Sequence, residues 1–143
     1  MNEISILFIS ASVILWAMYS AFEGYAEGYY WHYRTISNQY GKGDLHWAFV
    51  LRRGICALGL VSMAMFHSES LISGMFILLH TIFAFSFYHN GAYYLTRNKL
   101  NDKIYQGGFK DHNDSDAVMD IDYRMRLIMF VISIVFIYLA YRF

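Results

Sequence analysis

The stretch His46-Trp47-Ala48-Phe49-Val50-Leu51-Arg52-Arg53-Gly54-Ile55-Cys56-Ala57-Leu58-Gly59-Leu60-Val61-Ser62-Met63-Ala64-Met65-Phe66 decides how this chain is read. Its uninterrupted apolar part, residues 54–66, covers only about 20 Å at roughly 1.5 Å per residue, short of a hydrocarbon core about 30 Å thick. A crossing helix must therefore begin near Asp44 or Leu45, and it carries two adjacent arginines with it. Charge at that depth is costly, and it marks function or a firm partnership.

The flanking sequence belongs to the same class. With 57% hydrophobic, 20% aromatic and 15% charged residues in 143, the chain holds more apolar surface than a soluble domain of this length buries. Residues 4–22 make one span and residues 71–88 another, with His80 near the middle of the latter. Residues 127–141 are marginal alone and recruit residues 120–126 as first turns, with Asp114 or Ser115 as N-cap. The expectation is an all-α, four-transmembrane-helix bundle forming a single integral membrane domain over residues 1–143, with helices at about 4–30, 45–66, 70–96 and 116–142. Proline is absent, so no span carries a proline kink. The lone Cys56 rules out an intrachain disulfide and any thiol exchange needing two cysteines.

Eleven basic and eleven acidic residues cancel, which leaves no net-charge footprint for a nucleic-acid partner. Their distribution is informative instead. Arg34, Lys42, Arg52, Arg53, Arg97, Lys99, Lys103, Lys110, Arg124 and Arg126 fall at one side of the layout, and only Arg142 at the other. By the positive-inside rule both termini lie on the non-cytoplasmic side, in an inner or plasma membrane. Tyr29, Tyr30, Trp31, Tyr33, Trp47, Tyr93 and Tyr94 then form an aromatic belt at the cytoplasmic interface. The connection after Leu95, rich in Asn, Asp, Lys and Gly, reads as a loop with one helical turn, and His67 and His112 as solvated histidines.

Counted inward from the outer helix ends, Arg52, Arg53 and Arg126 reach about 20–22 Å, Arg124 about 25 Å, and Asp122, His89, Glu23 and Asn90 about 27–28 Å. His46, Asp120 and Glu27 come just beyond. Glu23 and Glu27 share a helix face four residues apart, and two like charges so placed require a cation between them. Asp120 with Arg124, and Asp122 with Arg126, satisfy themselves at the same spacing, whereas Arg52 and Arg53 have no acid on their own helix. Glu23 and Glu27 are thus their expected counterions.

Three functions fit such a layer. Guanidinium forks match phosphate and carboxylate groups, so Arg52, Arg53, Arg124, His46, Asn90, Tyr93, Glu23 and Asp122 form a candidate site for an anionic group or partner, in a binding or structural subunit. Alternatively Glu23, Glu27, His32, His46 and His89 offer carboxylate and imidazole ligands for iron, zinc or manganese, as in a metal-dependent membrane oxidoreductase or hydrolase acting on a lipid-soluble substrate. No H-E-x-x-H or paired Glu-x-x-His pattern accompanies them. A third use is an ion or proton pathway gated by the arginine and glutamate pairs. His80 reads as a midplane structural histidine. The lipid bilayer is the partner this reading implies, and a homo-oligomer or larger membrane complex is compatible with it. Ala17 and Ala21, and Ser20, Gly24 and Gly28, place small residues at four-residue steps, where close helix contact is expected within the chain or with a second subunit.

Overall fold

The computed structural model describes residues 3–37, 46–103, 106–111 and 121–143, without the side chains of residues 34–37 and 46–47. Helices α1 (Glu3–Ser37), α2 (His46–Ser68), α3 (Leu71–Leu100) and α4 (Tyr123–Arg142) form the bundle, and one short 3-10 turn (Gly108–Lys110) precedes α4. All four helices are long and apolar enough to cross a membrane. At about 1.5 Å per residue α1 runs about 52 Å and α3 about 45 Å, so both outreach a hydrocarbon core.

The elements are those expected, with different ends. α1 continues to Ser37 rather than stopping near residue 30, and α3 to Leu100 rather than 96, because hydropathy stops marking a helix once it leaves apolar surroundings. α4 begins at Tyr123 rather than 116. Asp122 is its N-cap, with extended backbone and a carboxylate accepting from Met125 N at 2.7 Å. The caps expected at Asp114 or Ser115, and the Asp120 with Arg124 pair, fall on residues outside those described.

α1 turns a continuous stripe inward: Ser5, Ile9, Ser12, Trp16, Ser20, Glu23, Glu27 and His32 are all buried. From Ser5 to Glu27 the three- and four-residue steps are those of one helix face, and His32, five residues further on, is buried from a neighbouring face. The opposite surface is apolar and open, with Leu7, Phe22, Leu51, Leu58, Phe66 and Leu71 each more than 60% exposed. α3 is the central helix and packs on all the others. Where α1 carries small residues, α3 comes close: a Cβ on Gly24 would lie 2.1 Å from the carbonyl oxygen of His89, and one on Gly28 2.9 Å from that of Tyr93. The small-residue stripe is therefore spent on contact within the chain.

α4 meets the bundle through a narrower seam. Arg126, Ser133 and Ala140, seven residues apart, are its buried positions. Ser73 Oγ donates to the Ala140 carbonyl at 3.0 Å, and fully buried His80 faces the α4 backbone at Ser133. The α2 to α3 connection is tight. Glu69 adopts φ 53°, Ser70 caps α3 by accepting from Ser73 N at 3.1 Å, and Gly74 lets Met65 cross close by. His67 is not a solvated loop residue. It ends α2 and stacks on Phe8 of α1 with centroids 3.5 Å apart.

Candidate functional site

Helices α1, α2 and α3 bring Glu23, Glu27, Arg52, Arg53 and His89 together. Arg52 donates from Nε (3.1 Å) and Nη2 (2.7 Å) to Glu23 Oε1, and Arg53 Nε donates to Glu23 Oε2 at 2.7 Å. Arg53 Nη2 also donates to Glu27 Oε1, so one guanidinium bridges the two glutamates. This is the cation that the four-residue spacing of like charges demands. Tyr19 OH adds a donor to Glu23 Oε1 at 3.0 Å.

His89 closes the network from α3. Its Nδ1 lies 3.0 Å from Asn90 Oδ1 and its Nε2 3.1 Å from Arg53 Nη2. A proton on Nδ1, donated to the Asn90 carbonyl, leaves Nε2 to accept from Arg53. The second oxygen of Glu27 is 3.4 Å from the same nitrogen. Phe85 stacks on His89 at 4.6 Å and lies 4.7 Å below the Arg53 guanidinium, which gives that cation an aromatic face as well as two carboxylates.

The layer has a direction. The side chains of Glu23 and Glu27 are 1% and 11% exposed, whereas those of Arg53 and Arg52 are 19% and 49% exposed. Carboxylates therefore face the bundle interior and guanidinium groups the outer surface of α2. Among the described residues the hydrogen bonds of both arginines run through Nε and Nη2, and Nη1 of each has no partner there. Next to Arg53 a groove of about 460 Å³ opens between α2 and α3, walled by Gly54, Ala57, Leu58, Leu78, Ile82 and Phe85, with Trp16 and Thr81 behind. Trp16 Nε1 donates to the Thr81 carbonyl at 2.9 Å and Thr81 Oγ1 to the Leu78 carbonyl at 2.7 Å, so the polar atoms of that wall are already engaged.

The remaining expected site residues divide. Asn90 and Tyr93 border the network, Asn90 on His89 and Tyr93 through the stacked His89 ring at 6.5 Å and the Arg97 guanidinium, which donates to its hydroxyl. Asp122 and Arg124 do not join. Asp122 is committed to capping α4, and exposed Arg124 has no hydrogen bond to any described residue of the layer. Nor does Asp122 pair with Arg126, whose fully buried guanidinium turns inward and donates to the Asp111 carbonyl at 2.8 Å between the rings of Tyr94 and Tyr123. Sequence spacing overlooked that second buried arginine site, because only the rotation of α4 distinguishes position 126 from 124.

Of the candidate metal ligands, Glu23, Glu27 and His89 each offer an atom within 4.8 Å of the others. The Arg53 guanidinium already sits among them. His32 is buried but stands five residues beyond Glu27, hence on another face of α1, and is not in that trio. The His46 side chain lies outside those described. No family model, curated protein or solved structure matches the chain.

Proposed function

We propose that this chain is a multi-pass subunit of an inner or plasma membrane, in which the Glu23, Glu27, Arg52, Arg53 and His89 layer clamps three helices and presents a guanidinium edge to an anionic group or partner on the cytoplasmic side. The observation that carries this reading is the polarity of the layer: buried carboxylates hold one half-exposed guanidinium group, Arg52, and one largely covered one, Arg53, in fixed forks. A neutral pair count thereby becomes a locally positive edge. Fixed guanidinium groups lose little side-chain freedom when they take a further acceptor, the condition for selective phosphate or carboxylate recognition. Ten of eleven basic residues at one end support a cytoplasmic position for that edge by the positive-inside rule.

The test is a thermal unfolding series in detergent with sn-glycerol 3-phosphate as soluble anion. Stabilisation is expected for the wild-type chain and loss of it for Arg52→Gln, with equal chloride in both. No anion-dependent stabilisation at millimolar concentration overturns the reading. One observation favours a second reading, a metal-dependent membrane enzyme: the convergence of Glu23, Glu27 and His89. It requires Arg53 to swing away, since a guanidinium and a metal ion repel at such range. Stoichiometric iron, zinc or manganese in purified protein, lost in His89→Ala, decides for that alternative.

A further inference from the structure

Resting on the anion reading above, we infer that the groove between α2 and α3 is a binding site for one acyl chain of an anionic phospholipid, whose phosphate sits on the outer edge of Arg52 and Arg53. Three observations converge on that occupant. The groove has apolar walls from Gly54 to Leu58 on α2 and from Leu78 to Phe85 on α3, and it opens broadly on the surface rather than enclosing its contents. Its one charged lining residue is Arg53, at the end of the α2 wall next to Arg52. The helices beside it turn large apolar side chains outward, with Leu51, Leu58 and Ile82 each more than half exposed, so the groove opens on the surface that would meet lipid.

The two parts of a phospholipid match the two parts of the site. A hydrocarbon chain finds walls whose Trp16 and Thr81 polar atoms are already bonded within the protein, so filling the groove leaves no polar group stranded. The phosphate finds two guanidinium groups, each with Nη1 unpartnered among the described residues, held in place from behind by Glu23 and Glu27. A phosphocholine headgroup brings its own cation to that edge and is disfavoured; phosphatidylglycerol is not. Gly54 and Gly59 separate the groove from general lipid contact. A Cβ at either meets nothing within 4 Å, yet only Gly54 lines the groove, so a bulky side chain introduced there competes with a groove occupant and the same side chain at Gly59 does not.

The experiment is native mass spectrometry of full-length protein extracted from vesicles of equal parts palmitoyl-oleoyl phosphatidylglycerol and phosphatidylcholine. The wild-type chain and Gly59→Phe should retain one phosphatidylglycerol, with a preference of about fivefold to thirtyfold over phosphatidylcholine, the scale set by one or two guanidinium groups beside an anionic headgroup. Gly54→Phe should lose the retained lipid while keeping its stabilisation by sn-glycerol 3-phosphate, and Arg52→Gln should lose the preference. Equal retention of both lipids by the wild-type chain, or undiminished retention by Gly54→Phe, overturns the inference as annular lipid only. If glycerol phosphate still stabilises the protein in that case, the groove fails and the anion site stands. If it does not, both fall.

Discussion

At the scale of single residues, two adjacent arginines have unequal tasks. Arg53 joins Glu23 to Glu27, rests on Phe85 and is 19% exposed, whereas Arg52 repeats a contact to Glu23 that Arg53 and Tyr19 also make and is 49% exposed. Removing Arg53 leaves Glu27, among the described residues, with His89 alone beside it, and Arg53→Ala should cost about 3–5 kcal/mol, the scale for breaking a buried ion pair from one side. Arg52→Ala leaves Glu23 with two donors and should cost about 1 kcal/mol. The roughly 3 kcal/mol or more expected when loss of a buried partner strands a carboxylate does not apply to Arg52, because half of its side chain is open. Arg53→Lys should recover less than half of the loss, since a point charge cannot fork between two carboxylates. Chemical unfolding in mixed micelles measures all three, and Arg52→Ala proving the costlier of the two alanine changes would refute the assignment of the bridge to Arg53.

At the scale of elements, α1 and α3 cross in close backbone contact. Gly24 stands where any Cβ would meet the His89 carbonyl at 2.1 Å, and that carbonyl belongs to a helix backbone that cannot yield locally. Gly24→Ala should force the helices apart at the level of the ion-pair layer and cost about 1–3 kcal/mol. Gly59→Ala, facing open space, should gain up to about 1 kcal/mol from helix propensity. Thermal melts of the two variants in one detergent give the comparison, and a Gly24→Ala variant as stable as the wild type would mean that the close crossing does not form. Both the stripe at Ser20, Gly24 and Gly28 and the pairing of Glu23 and Glu27 with a neighbouring cation were legible from spacing, because each follows from i to i+4 geometry on one helix. The face of α4 was not legible. That helix is apolar nearly all round, so no periodicity reports its rotation, and the choice of Asp122 among several acids and hydroxyls able to cap depends on the inward turn of Arg126 toward Asp111. The ends of α1 and α3 were hidden for a different reason, since both run on as helix beyond the segments where apolar composition marks them.

For the whole molecule, the decisive question is which way the bundle sits, because a guanidinium edge recruits different partners on the two sides of a membrane. The four crossings put the α2 to α3 turn, with exposed Glu69, at the end away from the arginine layer, and exposed Lys103, just past α3, at the same end as it. Energetics favour one insertion. Each Lys or Arg near an anionic cytoplasmic leaflet contributes about 1 kcal/mol of attraction, and the basic residues are ten to one in favour of the Lys103 end. In a Cys56→Ser background, Glu69→Cys should react with a membrane-impermeant maleimide in intact cells, whereas Lys103→Cys should react only after permeabilisation. Cys56 must be removed because it is the chain's one thiol and is half-buried. Labelling of Lys103→Cys in intact cells would invert the bundle, and the guanidinium edge would then face an extracytoplasmic anion or partner although every contact inside the layer stayed the same.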